Sequence, residues 1–323
     1  MNKGSISILN SRHNRQLLLK RKTEVLVAFG FWAALIIIAL LLNSRFMTLR
    51  NQRNLIVTNI GLLIVSLAQM NIIILGGVDL SVGSVISVVN VICVTLMNEA
   101  SPVTWAVAVA LSLAAGAGIG LLNGLIVAKG NLQPIIATLA TQTFFAGVAL
   151  LILPKPTGTL PSDFCKCLSK GLNYLVPMII FLVVVMWLLL NRSHLGRNML
   201  AVGANETSAK AFGINVSKVK IQAFVLSGFV AALAGIMISA FSTSGNPLIG
   251  EAYTQRSITV AAVGGASLAG GRGSVLGCVA ATFILGIVNN ILNLMGVSSY
   301  YQYVFQGLIL IVALSINAVR TRR

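Results

Sequence analysis

The sequence predicts an all-α protein, a polytopic bundle of about ten membrane-spanning helices of about 20 apolar residues each. Hydrophobic residues make up 57% of the 323 positions and charged residues 9%, and the mean hydropathy is +0.92, which excludes an ordinary water-soluble core. The apolar runs are continuous rather than alternating. Because a backbone in lipid must satisfy its own hydrogen bonds, these runs predict helices rather than barrel strands.

Apolar runs of helix length follow one another along the chain. The predicted spans are residues 25–42, 54–75, 82–97, 103–127, 132–153, 174–190, 221–243, 254–270, 274–296 and 303–319. The second, third and eighth carry polar residues and glycines and are candidates for broken or re-entrant helices. The first run follows Lys20, Arg21 and Lys22, but it is too long for a secretory signal and no small-residue cleavage pattern follows it, so we interpret it as an uncleaved helix.

The positive charges orient the bundle, because Lys and Arg are in excess in cytoplasmic loops. With both termini in the cytoplasm, seven of the 23 cations fall on the outside: Arg45, Arg50, Arg53, Lys155, Lys166, Lys170 and Arg256. Arg45, Arg50 and Arg53 do not fit this charge rule, because they form a positive cluster on the outside. We therefore expect a flat interfacial segment over 46–54, whose long side chains reach the lipid headgroups. This topology accounts for the net charge of +17, so no nucleic-acid partner is expected.

The predicted domain organisation is therefore simple. A basic cytoplasmic segment, residues 1–24, precedes a single transmembrane domain over 25–319, which contains a cytoplasmic loop at 191–220, and a basic tail follows at 320–323. Within the loop, residues 195–220 predict a short amphipathic helix held outside the membrane.

The sequence lacks the residues of an energy-coupling or catalytic protein. No phosphate-binding Gly-x-x-x-x-Gly-Lys-Ser/Thr motif occurs, and two histidines in basic loops build no metal site, so neither an enzyme nor a cofactor is expected. Coupling to ions usually needs acidic residues at membrane depth. All carboxylates map to loops or to span ends: Glu24, Asp79, Glu99, Asp163, Glu206 and Glu251.

Polar residues near the spans form the second group of candidates. Asp79 and Ser81 lie where the third span begins, and either side chain is expected to accept hydrogen bonds from the first amides of that helix; direct contact with a transported solute is the alternative. Asn71, Asn289 and Asn293 lie within spans, the last two on one helix face. Such amides either join helices or line a path for an uncharged, hydroxyl-rich solute.

Six motifs in order carry a family resemblance. They are GGVDLSVGS at 76–84, AKG at 128–130, LGR at 195–197, GANETSA at 203–209 followed by GINV at 213–216, GGASLAGGRG at 264–273 and GVSSYYQ at 296–302. Together they resemble the ribose-type monosaccharide permeases of bacterial ATP-binding-cassette importers. The resemblance runs from about Phe46 to the last helix, and the basic N-terminus and the loop at 154–173 fall outside its motifs.

The resemblance implies a non-catalytic permease of the type II-like importer fold in the bacterial inner membrane. Its implied partners are a cassette ATPase, a periplasmic sugar-binding protein, a second permease copy (identical or a paralogue) and the membrane lipid. It also implies that one segment is the helix that couples the permease to the ATPase, with Glu206 in the first turn, where the helix dipole favours an anion. The residues carried over are Gly203, Asn205, Glu206, Ala209, Gly213 and Ile214.

One function of a different class stays open at this point. An ion-coupled secondary transporter, or a permease for another small uncharged polar solute, would share the same apolar pattern. The two differ in energy source, because the importer subunit needs an ATPase partner. Among sugars the motifs do not discriminate, since specificity is expected to lie largely with the binding protein.

Overall fold

The computed structural model of the protein describes residues 36–97, 101–169 and 172–321, and nearly all of the regular structure in these ranges is helical. A 3-10 turn at Ser44–Met47 precedes the second helix, and two short strands, β1 (Thr157–Thr159) and β2 (Ser244–Gly245), pair antiparallel. The helices are α1 (36–42), α2 (Leu49–Ile74), α3 (Val82–Leu96), α4 (Pro102–Lys129), α5 (Pro134–Ile152), α6 (Ser162–Ser169), α7 (Leu172–Arg192), α8 (His194–Ala204), α9 (Glu206–Ala211), α10 (Val216–Ser242), α11 (Glu251–Val263), α12 (Val275–Leu294) and α13 (Ser299–Thr321).

The predicted polytopic helical bundle is confirmed. Every predicted span from the second to the tenth coincides with one helix, and α1 covers the described end of the first. Within the described ranges, α2, α4, α5, α7, α10 and α12 are each long and apolar enough to cross a membrane. The basic segment 1–24, most of the first span and the last two residues of the tail lie outside the described residues.

Two of the predicted spans form helices that are too short to cross a membrane alone. The 15 residues of α3 and the 13 of α11 give lengths of about 22 and 20 Å. Their N-terminal ends meet, because the position that a Cβ on Gly83 would occupy is filled by Thr254 Oγ1 and lies 2.7 Å from the Gly250 carbonyl oxygen. The third and eighth spans are thus helices shorter than the roughly 30 Å hydrocarbon layer, whereas the second, also a candidate for a break, is one continuous helix.

The chain between α10 and α11 returns into the bundle beside α3. Asn90 of α3 donates to the carbonyl oxygen of Ser244 at 3.2 Å and accepts from the amide of Asn246 at 2.7 Å. Ser87, one turn earlier, accepts from the amide of Gly250 at 3.1 Å. Because α3 supplies these partners, a non-helical backbone is hydrogen-bonded inside the protein, the condition for such a segment at membrane depth.

The two central helices are α2 and α10. In the most apolar window of α2, 83% of the residues are buried, against 22% for α5 and α7, whose outer faces are left for lipid. Small residues bring α4 and α10 together, since Cβ atoms added at Gly116 or Gly120 would strike the backbone of α10. Such close approach is typical of helix packing in membranes.

Candidate functional site

The segment between α7 and α10 lies against the end of α2. The space that a Cβ on Gly203 would fill is taken by the carbonyl oxygen of Ile74, the last residue of α2. The amide of Gly271 donates to that same oxygen at 2.8 Å. Because only glycine lacks a side chain here, α8 can approach α2 this closely only at Gly203.

Three glycine-bearing motifs meet at this end of the bundle. Gly76, with φ 80°, faces Ala269 and Gly270, and a Cβ on Gly270, with φ 88°, would strike the carbonyl oxygen of Gly203. Residues from the motifs at 76–84, 203–209 and 264–273 are therefore in mutual contact. Their small side chains allow backbone-to-backbone packing between α2, α8 and the loop after α11.

The short helix α9 is capped at both ends by its own sequence. The Asn205 side chain accepts from the amide of Ser208 at 2.8 Å, which is an N-cap. At the other end the amides of Gly213 and Ile214 donate to the carbonyls of Lys210 and Ala209, and Gly213 has φ 81°, the pattern of a Schellman C-cap.

Two further contacts join α9 to the bundle. Glu206 accepts from Lys220 Nζ of α10 at 2.8 Å, and Ala209 is buried. Half of the Glu206 side chain stays accessible, with an exposed fraction of 56%. The carboxylate in the first turn therefore remains available to a partner while its helix is held in place.

The C-terminal end of α9 is uncovered. Lys210, Ala211, Phe212 and Gly213 are all exposed, and we call these four residues the α9 surface. Phe212 is 87% exposed, among the highest values for a large apolar side chain in the described residues. Sequence reasoning missed Phe212; the available signal was an aromatic residue placed directly before the glycine that ends an otherwise polar helix.

The other candidate residues lie in a buried chain of hydrogen bonds. Asp79 Oδ1 accepts from the amide of Ser81 at 2.9 Å and from its hydroxyl at 2.6 Å, and Asp79 Oδ2 accepts from Ser227 of α10 at 3.4 Å. Asn123 of α4 donates to Ser81 Oγ at 2.8 Å and accepts from Thr141 of α5 at 2.7 Å. We call these five residues the Asp79 network.

The groups that face the Asp79 carboxyl oxygens can all donate hydrogen bonds. They are the hydroxyl groups of Ser81 and Ser227 and the backbone amide of Ser81. Gln69 of α2 adds support from the other side: with its amide turned accordingly, it donates to the Asp79 carbonyl at 2.8 Å and accepts from the Asp79 amide at 3.1 Å. Four helices thus position one side chain.

Asp79 is enclosed by protein: it is 1% exposed, and its partners Asn123, Thr141 and Ser227 lie roughly 9–16 Å along their helices from the ends beside α8 and α9. Its expected place at the membrane edge stays a prediction. The residue is in a loop, as the sequence indicates, but that loop lies inside the bundle. Ser81 occupies the N-cap position of α3 and makes no cap with its own side chain.

The three predicted amides have different surroundings. Asn289 accepts from Gln306 of α13 at 3.2 Å and Asn293 from Gln302 at 2.7 Å, so both lie on the α12 face toward α13. Asn71 of α2 is fully buried, and neither of its amide atoms has a hydrogen-bond partner in the described part of the chain. Only Asn71 retains its full hydrogen-bonding capacity among these three.

Comparison with known proteins places the chain in a family. A family model described as the permease component of branched-chain amino acid transport systems matches residues 51–314. The chain belongs to this family. It is therefore a multi-pass, non-catalytic transport subunit, and an ion-coupled transporter is not favoured.

Individual relatives resemble the permease over most of its length. It is 34% identical to the ribose import permease protein RbsC of Haemophilus influenzae, over 91% of this chain and 94% of the relative. It is 35% identical to RbsC of Bacillus subtilis, over 88% and 89%, and 36% identical to the L-arabinose transport system permease protein AraH of Escherichia coli K12, over 74% and 73%. No solved structure matched the chain.

The described part of the permease contains no group of three His, Cys, Asp or Glu residues placed to hold a metal ion. All four cysteines are described, and none forms a disulfide. Cys165 and Cys167 both belong to α6, but Cys165 is buried and Cys167 is exposed, so the two residues of the Cys-x-Cys sequence differ in accessibility.

Proposed function

We propose that this permease is the membrane subunit of an ATP-driven importer that admits a monosaccharide, ribose or a related sugar, to the cytoplasm. The observation that carries the proposal is α9, a capped helix held against the bundle with an uncovered aromatic residue and a half-exposed carboxylate. The relatives named for ribose and L-arabinose support a pentose as the first sugar to test. A periplasmic sugar-binding protein would deliver it.

The α9 surface is proposed to dock into a groove of a cassette ATPase. Phe212 supplies an apolar anchor of the kind that dominates protein interfaces, and Lys210 supplies a polar rim. Movement of the ATPase would reach the bundle through two contacts, the glycine contact at Gly203 and the ion pair of Glu206 with Lys220. Gly203, Asn205, Ala209 and Ile214 then hold the helix in shape rather than touch the ATPase, whereas Gly213 both ends the helix and belongs to the docking surface.

The Asp79 network and the span amides are proposed to belong to the conformational cycle. Asp79 and Ser81 join the break before α3 to α4, α5 and α10, so relative movement of these helices must break or shift the network. Asn71 is proposed as a solute contact, because an amide without a partner gains hydrogen bonds when a hydroxyl-rich sugar passes. Asn289 and Asn293 are proposed to join α12 to α13.

The remaining assignments follow from the same proposal. A second permease copy would complete the path, and apolar faces such as that of α5, where Ile136, Leu139 and Phe144 are exposed, are available to lipid or to that copy. The inner membrane, with both termini in the cytoplasm, places α9 on the side where ATP is found.

Uptake in proteoliposomes tests the function. The permease is reconstituted with its cassette ATPase and binding protein, and radiolabelled ribose is followed with ATP inside or outside the vesicles. We expect uptake only when ATP reaches the side carrying α9. Accumulation by the permease alone, driven by an ion gradient, would overturn the proposal.

A charge exchange tests the coupling residues in the same vesicles. Glu206→Lys should abolish sugar-stimulated ATP hydrolysis without impairing membrane insertion, since the ion pair is exposed and contributes little to stability. Combining it with Lys220→Glu rebuilds the pair in reverse. If the double variant regains full transport, Glu206 acts through Lys220 alone and does not contact the ATPase.

A further inference from the structure

A cationic cavity of about 700 Å³ lies at the other end of the bundle from α9. Its walls are formed by the start of α2 and by the ends of α10 and α12, and its lining residues are Arg45, Thr48, Arg50, Asn51, Arg53, Asn54, Val57, Phe241, Thr243 and Leu294. Because α2 is 26 residues long, about 39 Å separate this arginine cavity from the Gly203 contact.

The arginine-bearing segment is fixed to the bundle. Phe46 is 2% exposed and packs with Leu55 of α2 and Ile287 of α12. Asn43 donates to the carbonyl of Leu294 at 3.2 Å, and Asn51 exchanges two hydrogen bonds of 2.9 Å with Asn290. The arginines therefore project from a held backbone into a preformed space.

Arg45 and Arg50 bring two positive charges to the cavity, and none of the described residues that line it is acidic. They also cluster at the N-terminal end of α2, where the helix dipole is unfavourable for cations. Their predicted outside position runs against the usual placement of positive charge in membrane proteins. An anion bound in the cavity would balance these positive charges, interact favourably with the helix dipole and compensate for the unusual placement of the arginines.

The other half of the wall is apolar. Val57, Phe241 and Leu294 line it, and Met47 and Leu49, which are 56% and 81% exposed, flank the same segment. A free phosphate would not use this apolar surface, and an acidic patch on a water-soluble protein would not need it. A phospholipid can bind both parts of the cavity wall, since its phosphate can pair with guanidinium groups while its acyl chains contact the apolar residues.

We propose that the arginine cavity is a binding site for the headgroup phosphate of an anionic phospholipid of the outer leaflet, such as phosphatidylglycerol. Arg45 and Arg50 bind the phosphate, the first-turn amides of α2 add to the field, and the apolar wall receives the start of an acyl chain. The bound lipid joins the segment before α2 to the ends of α10 and α12.

The site is tested with the purified full-length permease in detergent, by native mass spectrometry and thermal unfolding with added phosphatidylglycerol or phosphatidylcholine. We expect phosphatidylglycerol to bind and raise the unfolding temperature more than phosphatidylcholine does. Each of Arg45→Gln and Arg50→Gln should weaken phosphatidylglycerol binding roughly fivefold, the worth of one cation near an anionic membrane. Lys155→Gln, which removes a cation of the same predicted side from outside the cavity, should leave binding unchanged.

A second variant keeps the test decisive if the arginine variants fold poorly. Asn54→Asp changes an exposed wall residue to a carboxylate of the same size, so it should raise stability without lipid and remove the response to phosphatidylglycerol. Equal effects of inorganic phosphate and phosphatidylglycerol would overturn the lipid assignment. So would arginine variants that bind phosphatidylglycerol normally but lose the sugar-binding protein, since the cavity would then serve that protein.

Discussion

Asp79 shows how a single acid is tolerated inside an apolar bundle. An ionised carboxylate away from water is costly unless its oxygens are paired. Here Ser81 and Ser227 supply the donors, and Asn123 and Thr141 orient the Ser81 hydroxyl. Because the partners come from α4, α5 and α10, the hydrogen bonds of the Asp79 network depend on the relative positions of three helices that are distant in sequence.

Substitution of Asp79 separates a structural acid from a functional one. Asp79→Asn keeps an acceptor for Ser81 and presents an amide to Ser227, so we expect normal folding and near-normal transport. Asp79→Ala should lower the free energy of unfolding by about 1–3 kcal/mol for each buried donor left without a partner. Denaturant unfolding and uptake check both. An Asn variant that folds and assembles but transports nothing would show that the acid itself is required.

The exposed pair of Asp163 with Lys166 provides the matched control for Asp79. Both side chains are more than half exposed, with values of 75% and 53%. Asp163→Ala should therefore change stability by less than about 1 kcal/mol.

Asn71 offers the opposite case, a buried amide with no partner. Leucine has a similar size, so Asn71→Leu should leave stability unchanged or raise it, because it removes two unsatisfied polar atoms. If Asn71 contacts the sugar, uptake falls while ATPase assembly stays normal. Asn90→Leu is the control, since it breaks bonds to Ser239, Ser244 and Asn246 and should destabilise the fold. Normal uptake by Asn71→Leu would exclude it from the path.

Phe212 is expected to act only through a partner. Phe212→Ala should not change the unfolding temperature of the isolated permease, because the side chain is 87% exposed. It should weaken ATPase binding by about 30-fold or more, the cost of truncating a central aromatic anchor. Phe144→Ala, which removes an exposed ring on α5, should leave ATPase binding intact. Equal binding by all three proteins in a pull-down would remove Phe212 from the interface.

Contacts between helices rely on glycine where backbones touch. Gly203 joins α8 to α2, Gly83 and Gly250 bring α3 to α11, and Gly120 brings α4 to α10. At each of these positions an added methyl group would overlap backbone or side-chain atoms. The contact between α8 and α2 connects the segment carrying α9 to a central helix, so it is the contact on which the proposed coupling depends.

The α8 contact can be tested with one methyl group. Gly203→Ala should destabilise the permease by about 1–3 kcal/mol, the usual cost of overpacking, and reduce sugar-stimulated ATP hydrolysis. Gly118→Ala, on a face of α4 where nothing lies within 4 Å, should instead be neutral or stabilise by up to about 1 kcal/mol. If the two variants have the same stability and activity, α8 does not touch α2 as described.

The bundle has two ends with different surfaces, and its orientation in the membrane decides what each can bind. The glycine contacts and α9 lie at one end, while the arginine cavity, α6 and the β1–β2 pair lie at the other. Only the end that faces the cytoplasm can meet an ATPase.

A thiol-labelling experiment checks this orientation. A cysteine introduced by Ser208→Cys would be exposed on α9, and native Cys167 is exposed at the other end. An impermeant thiol reagent added to cells with a permeable outer membrane should label Cys167 and spare position 208 until the inner membrane is opened. Cys165 and Cys278, both buried, serve as internal controls. Labelling of position 208 from outside would invert the topology and contradict the proposed ATPase contact.

Much of the fold could be predicted from local patterns. Continuous apolar runs predicted the spans from the second to the tenth, and polar residues with glycines indicated that the third and eighth differ from ordinary helices. One amphipathic helix was predicted within 195–220, whereas the structure has two, α8 and α9, and the coupling residues came from the family resemblance rather than from the caps Asn205 and Gly213. The enclosure of Asp79 by α4, α5 and α10 was not predicted, since these helices are not connected to it by local sequence.

The sequence therefore determined that this chain crosses a membrane many times, which family it belongs to and where the short helix α9 begins and ends, because hydropathy and capping are local properties. The tertiary structure decided which residues meet: it brought the three glycine motifs together, enclosed Asp79, left Phe212 uncovered and placed three arginines around one cavity. These features depend on helix packing. Packing is set by the shapes of side chains far apart in the chain, which no short sequence window contains.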